Sequence, residues 1–295
     1  MSDTAASLLR IIGGARDLQS VVRSMKALAA SSIVQFEKSV SALADYYQTV
    51  ELGLSICLRK SEPMEAGKKR NTDPDTLGAV VFGSDQGLVG QFNEMLVDFA
   101  LKTLATMPGT PRIWAVGERV YSCLTDEGLS VQGLFSVPNS IKGITPLVGN
   151  ILVETETLHK NNEGGELFLF YNRPQSDQVY APVSQRLLPL DEIWRRNLID
   201  FSWPTMQLPE VLGHGAGTLR ALIREYLFVS LFRACAESLA SENASRLAAM
   251  QRAEKNIEEL LEDLDGRFHR LRQSSIDEEL FDVISGFEAL LKHPA

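Results

Sequence analysis

A chain of 295 residues, 44% hydrophobic and 23% charged, has the makeup of a folded protein with room for one large domain or two modest ones. Its 29 Lys and Arg against 38 Asp and Glu leave a net charge of −9, which argues against a general nucleic-acid binder, because phosphate neutralisation needs a cationic surplus. The three cysteines, Cys57, Cys123 and Cys235, have neither CxxC nor Cys/His spacing, so neither a zinc site nor a disulfide framework is expected.

Residues 1–7 carry no basic stretch followed by an apolar run, so no secretory leader is expected. No apolar stretch approaches the ~20 residues that span a bilayer. Any membrane association is therefore expected to run through partners, not through direct insertion. From 7 to 58 there is no proline, and apolar residues recur at three- and four-residue steps: Leu18, Val21 or Val22, Met25, Leu28 or Ala29, Ser32, Phe36, Val40, Leu43, Tyr47, Val50 and Leu54. This predicts one long amphipathic helix with a narrow seam over 1–60. Gly13 and Gly14 are predicted to weaken its start, at about 1 kcal/mol each against alanine.

Pro63, Gly67 and Pro74, with a Lys68-Lys69-Arg70 cluster, break the pattern and predict a solvated linker over 61–76. From 77 to 208, strand-like and helix-like segments alternate. Strands are predicted at 77–82, 112–116, 130–135, 166–171 and 179–188, the last two around a turn at 173–177. Helices are predicted at 90–106, just after Gly117, and at 144–160, the last closed by a turn at 161–165. This order implies a small, largely parallel α/β domain.

The final section is 209–295. After Pro204 and Pro209, the glycines at 213, 215 and 217 read as a hinge or a frayed helix start. From Thr218 to Leu291 there is no proline, and glycine occurs only at Gly266 and Gly286. A helix of that length reaches on the order of 100 Å at ~1.5 Å per residue and needs a partner helix. The first segment supplies one. With a domain between them the two must run antiparallel. The expected fold is thus a small Rossmann-like α/β domain inserted between two long terminal helices that form an antiparallel coiled coil. Small residues (Ala27, Ala29, Ala30, Ser31 and Ser32; Ala234, Ser238, Ser241, Ala244, Ser245 and Ala248) are expected to line the seam and keep the rod thin.

The segment 83–90 follows a strand and opens a helix, where phosphate-binding loops occur. It lacks the Gly-Lys-Ser/Thr of a Walker A loop and the G-x-G-x-x-G spacing of a dinucleotide site, and reads as a structural turn. His159, His214, His269 and His293 are scattered, and no serine sits in a G-x-S-x-G elbow. No catalytic residue, cofactor or metal is expected. The acidic run of Glu254, Glu258, Glu259, Glu262, Asp263 and Asp265 reads as a solvated face, or as the counterpart of a basic partner.

The C-terminal segment reads Ala240-Ser-Glu-Asn-Ala-Ser-Arg246-Leu-Ala-Ala-Met250, then Asn256, Arg272-Gln273-Ser-Ser-Ile276, Glu279-Leu280 and Gly286. It resembles the signature of the gamma subunits of F-type ATP synthases. Ser24-Met-Lys-Ala-Leu-Ala-Ala-Ser31 is similar to that family's first-helix motif. Ser84-Asp85-Gln-Gly87-Leu-Val-Gly90, followed by Asn93, is similar to its motif after the first strand. His269, Asp277, Gln86 and Gln91 depart from the family's usual asparagine, threonine, arginine and glycine, and point to a divergent branch such as the alternative ATPases.

The resemblance implies a non-catalytic central shaft turning within a head of alpha and beta subunits. Its α/β domain would be the foot on the epsilon subunit and the membrane rotor ring. Rotation driven by ions would drive ATP synthesis, and ATP hydrolysis would pump ions. The implied place is peripheral, on the cytoplasmic side of a bacterial inner membrane. The resemblance further implies hydrogen bonds from Arg272 and Gln273 to a beta-subunit loop, with Met25, Lys26, Arg246 and Ile276 as further partner contacts. Ser84, Asp85, Gly87, Gly90 and Asn93 would be structural. The residues alone also allow a coiled-coil scaffold unconnected with energy conversion, or a nucleotide-dependent enzyme built on the central domain.

Overall fold

Proline-free, periodic sequence at both ends folds as two helices, α1 (Ala5–Lys60) and α6 (Gly215–Leu291), in the computed structural model of the chain. The structure describes residues 4–60, 77–155, 165–175, 178–201, 203–207, 209–211 and 215–291. The expected linker with its basic cluster, the turn residues 161–164, 176 and 177, and His159, His214 and His293 lie outside these. Gly215 and Gly217, read as a hinge or frayed start, form the first turn of α6. The chain divides into two compact units, 1–28 with 247–295 and 29–246. α1 and α6 contribute to both.

In the larger unit, β1 (Leu77–Phe82), α2 (Phe92–Leu104), β2 (Pro111–Val116), α3 (Glu118–Asp126), β3 (Val131–Phe135), α4 (Ile141–Thr155), β4 (Glu166–Arg173) and β5 (Ala181–Leu188) follow in order. They build a five-stranded sheet in the order β3-β2-β1-β4-β5 among the described residues. The β1–β2, β2–β3 and β1–β4 pairs are parallel, and only β4–β5 is antiparallel. β1 is buried at every residue, as a strand covered on both faces must be. Its side chains alternate between two cores. Ala79 and Val81 pack with Leu96, Ala100, Ile113, Val120 and Leu124 on the α2/α3 side. Val80 and Phe82 pack with Ile144, Val148 and Ile151 of α4 and with Leu231, Ala234, Cys235 and Leu239 of α6. α4 starts a turn earlier than expected and accommodates Pro146 at the cost of one intrahelical bond.

A further helix, α5 (Glu192–Ile199), was not predicted. Asp191 caps it by accepting the Trp194 N–H at 2.9 Å, and Glu192 sits in its first turn. Its Trp194 and Leu198 pack on Val50, Leu54 and Leu58 of α1 and Tyr226 of α6. Arg59 fastens its end by donating to the carbonyls of Ile199 (2.6 Å) and Phe201 (2.8 Å).

Where α1 meets α6, rising numbers on one face falling numbers on the other, so the pair is antiparallel. In the smaller unit Leu8 and Ile12 pack with Leu264, and Val22 packs with Ile257 and Met250. Leu8, Ile12, Ala15, Gln19, Val22 and Lys26 are among the α1 residues turned inward there. Ala29, Ile33, Phe36, Val40, Leu43, Tyr47, Val50 and Leu54 keep the same alternating steps of four and three in the larger unit. This strict 3.5-residue period corrects the expected seam. Leu18, Val21 and Leu28 fall one position off it and are 54%, 55% and 69% exposed. Ala27, Ala30 and Ser31 are also exposed, so of the five small residues expected in the seam at 27–32 Ala29 alone is fully buried and Ser32 half-buried.

Leu96 is fully buried while its neighbour Met95 is 41% exposed. Leu96→Ala is expected to lower the stability of the α/β domain by about 2–5 kcal/mol through transfer and cavity terms. Met95→Ala should stay within about 0.5 kcal/mol of the parent. Urea unfolding followed by the fluorescence of Trp114, buried in the sheet core, measures both.

Candidate functional site

An open α/β sheet offers its ligand crevice beyond the carboxyl ends of the strands, where the strand order reverses. Here the order runs from β1 to β2 on one side and to β4 on the other, which places the crevice at the ends of β1 and β4. Helix α6 occupies it. Ser238 Oγ donates to the carbonyl of Phe82, the last residue of β1, at 2.9 Å. Ser241 Oγ donates to the carbonyl of Asn172 in β4 at 3.0 Å. Ser245 Oγ donates to the carbonyl of Val89, in the loop after β1, at 2.5 Å. Positions i, i+3 and i+7 share one helix face, and all three serines are buried. These serines, expected to line the seam with α1, face the α/β domain instead. Their spacing was legible; the identity of the surface they face was not.

The loop after β1 is a connector. The Asn93 amide accepts the Ser84 N–H at 3.0 Å and donates to Ser84 Oγ at 2.9 Å, and that hydroxyl donates to the Gln86 carbonyl at 2.9 Å. The Asp85 carboxylate accepts two backbone N–H groups, from Glu118 at the start of α3 (3.1 Å) and from Val137 after β3 (2.9 Å). Gly117 has φ +118°, and a Cβ there would stand 2.6 Å from the Ser84 carbonyl oxygen, so the loop and the end of β2 touch backbone to backbone. Leu88 and Gly90 take φ of 61° and 60°. Gly87 has open space around it, and nothing in the structure explains a glycine there.

Two buried carboxylates flank the serines. Glu237 accepts from Arg173 Nε at 2.8 Å and from Arg233 Nε at 2.7 Å, tying the end of β4 to α6. Glu242 pairs through one oxygen with Arg246 at 2.6 Å, while its other oxygen has no hydrogen-bond partner among the described residues. Burial raises the Glu242 pKa; the Arg246 guanidinium opposes this and the nearby Asp85 adds to it. Arg246, expected at a partner surface, is thus engaged inside the larger unit, where it also reaches the Asn243 side chain.

In the smaller unit the acidic run is not simply a solvated face, because three of its members meet cations of α1. Glu254 accepts from Arg23 Nε at 2.9 Å and from Lys26 Nζ at 2.5 Å. Arg23 also approaches Glu258, and Arg16 approaches Asp265, each at 3.5 Å. Lys26, expected at a partner surface, therefore spends its ammonium on Glu254, and Met25 beside it is half-buried in the cluster around Val22. Beyond Leu271 every described side chain of α6 from 272 to 285 is exposed. Arg272 and Gln273 lie in this stretch, followed by Ile276 (54% exposed), Leu280 (57%) and Val283 (71%) at helical spacing.

Among the described residues no three His, Cys, Asp or Glu side chains gather as metal ligands, and no helix is long and apolar enough to cross a membrane. No disulfide joins Cys57, Cys123 and Cys235, and Cys57 and Cys235 are buried.

An acid with a raised folded-state pKa holds its proton more tightly when folded, so its contribution to stability grows as pH falls through the window between the unfolded and folded values. The parent chain is therefore expected to gain stability relative to Glu242→Gln as pH is lowered from 7 toward 5. Urea midpoints of both chains across that range provide the check; parallel curves would remove Glu242 from the titration.

A protein-family model described as ATP synthase matches residues 5–290. The ATP synthase gamma chain of Glaesserella parasuis is 27% identical over 287 residues, covering 95% of this chain and 96% of that protein. The ATP synthase gamma chain of Syntrophus aciditrophicus is 26% identical over 303 residues, covering 96% and 97%. Among solved structures, the rotor of the Euglena gracilis mitochondrial ATP synthase is similar in fold, with a TM-score of 0.65 at 13% identity over 92% of this chain and 98% of that one. The central stalk and c-ring structure of the Tetrahymena thermophila mitochondrial ATP synthase contributes a second likeness, with a TM-score of 0.57 at 20% identity over 79% and 99%. Matched from near its first residue to near its last, the chain belongs to the ATP synthase family and, within it, to the gamma chains.

Proposed function

We propose that this chain is the central rotor subunit of a rotary ATP synthase and carries no catalytic site of its own. The observation that supports the reading best is what α6 does at 238–245. Its hydroxyls fill the crevice in which an α/β domain would hold a nucleotide. The domain then serves as a foot that grips the helix, not as an enzyme. Alpha and beta subunits of the head, an epsilon subunit and a membrane rotor ring are the partners, and the complex sits on the cytoplasmic side of a bacterial inner membrane. The scaffold alternative draws no support from relatives that are gamma chains over almost their full length.

A shaft can bias a catalytic site only through contacts that differ between that site's conformations. Polar contacts suit this task, because they form at some angles and not at others. Arg272 and Gln273 are exposed and point ~100° apart around the helix, so they span a corner of it. Arginine brings five donors in a fixed fork, and glutamine both donates and accepts. Ile276 and Leu280 beside them, with Met25 and the exposed Leu18, Val21 and Leu28 of α1, are the apolar bearing surface. Lys26 and Arg246 serve the chain's own ion pairs.

Arg272→Ala with Gln273→Ala is expected to leave the helix folded, since alanine is the better helix former. In the assembled complex it should lower ATP turnover by about tenfold, the equivalent of one charge-assisted hydrogen bond lost from the productive angle. Gel filtration of the complex, with turnover measured beside it, checks this; normal turnover in a normally assembled complex would sink the assignment. The isolated chain should not bind ATP, and stoichiometric, tight binding by calorimetry would favour the enzyme reading instead.

A further inference from the structure

Gly13 and Gly14 were expected to weaken α1, yet α1 runs through them without a break. Glycine in a helix is usually retained because something approaches too closely for a Cβ, as Leu222 does at 3.2 Å over Gly53. At Gly13 and Gly14 no atom beyond the chain neighbours and the helix's own adjoining backbone lies within 4 Å of where a Cβ would stand. The same holds for Gly266 on α6. Packing within the smaller unit thus explains none of the three, and alanine would fit at each.

The three positions stand at one level of the helix pair. Ile12 packs with Leu264 on one side of that level, and Arg16 reaches Asp265 at 3.5 Å on the other. This coincidence matters physically. A lone helical glycine is splinted by the helix beside it, whose hydrogen bonds hold the pair straight. Here the splint has its own glycine at the same turn. The local contacts are also thin: Ala15 fills the seam where a leucine would bury more, and Ile11 of that turn is 47% exposed.

We propose that Gly13, Gly14 and Gly266 form a yielding point of the helix pair, where backbone hydrogen bonds of both helices open together more readily than in the turns around them. This goes beyond the rotor reading and does not depend on it. If that reading holds, the yielding point lets the end of the pair bend or twist while the contacts around Val22, Met250 and Ile257 stay closed.

Hydrogen exchange read by mass spectrometry on the full chain tests the proposal. Amides of 12–18 and of 263–269 are expected to exchange faster than those of 20–26 and 251–259. Gly266→Ala alone should slow exchange by about fivefold, the helix-propensity gap between the two residues, on α6 and also across the pair on α1. Gly13→Ala with Gly14→Ala should slow both helices in the same way. Simple fraying of the first turns of α1 would instead leave α1 exchange untouched by Gly266→Ala, and that result would overturn the proposal. Equal protection at this level and around it in the parent chain would overturn it too. Circular dichroism of each variant, expected to match the parent, confirms that the fold is kept.

Discussion

The larger unit depends on three hydroxyls reaching three carbonyls. Parallel strands end with carbonyl groups pointing out of the sheet, and a buried acceptor left unpaired costs about 1–3 kcal/mol. In a dinucleotide-binding domain such groups face a cofactor, water or the start of a helix. Here the carbonyls of Phe82, Asn172 and Val89 are taken by Ser238, Ser241 and Ser245. Only a short side chain can do this from a helix lying directly on the strand ends. Threonine would add a methyl against the sheet, and asparagine would hold the helix further off. The requirement for serine at these places explains why α6 carries so many small residues here and still buries nearly every side chain from 229 to 243.

Once α6 is fixed by its hydroxyls, the charges beside it follow. Glu237 is 5% exposed, and an unpaired carboxylate at that depth would be costly, so it draws Arg173 from the end of β4 and Arg233 from its own helix. The pair is worth little as net stability compared with an apolar replacement, but it constrains position: the Arg173 side chain also lies over the Tyr171 ring, 5.4 Å from its centre. Asp85 works similarly from the other side. By accepting the N–H groups of Glu118 and Val137, it holds the ends of β2 and β3 in step with the loop that Ser245 touches.

Much of this architecture was legible in sequence because it rests on periodicity. A proline-free stretch with apolar steps of three and four can only be a helix, and the β1 run of Leu77, Ala79, Val80, Val81 and Phe82 has the continuous apolarity of a doubly covered strand. What could not be read was which surface each stripe meets. Leu18 and Gln19 differ by one position, and the 3.5-residue period turns the glutamine inward, half-buried, and exposes the leucine. Hydrophobicity alone chooses wrongly there. Ser238 and Ala234 look alike in a small-residue stripe, yet one serves a carbonyl and the other an apolar core. Helix α5 is hard to read from sequence although Asp191-Glu192 is a sound start signal, because the apolar Ile193, Trp194 and Leu198 that follow are too few to establish a period.

The acidic run of α6 shows how a charge pattern acquires meaning only from its neighbour. Glu254, Glu258 and Asp265 repel one another along a single helix, and few lysines at i+4 relieve them. The opposing cations Arg16, Arg23 and Lys26 are on α1, more than two hundred residues away in sequence. Ion pairs near solvent contribute little and weaken with salt, so they cannot be what holds the smaller unit together. That falls to Leu8, Ile12, Val22, Met250, Ile257 and Leu264. What the charges supply is discrimination. An α6 shifted along α1 by a turn or more would set Glu254 against Val22 or Ala29 and strand Lys26 among apolar side chains, whereas a leucine meeting another leucine would hardly register the change. A pair built to stay slender, with alanine at Ala15, Ala249 and Ala253, has few bulky side chains to define its alignment by shape, and charge is the specificity that a thin seam can still carry.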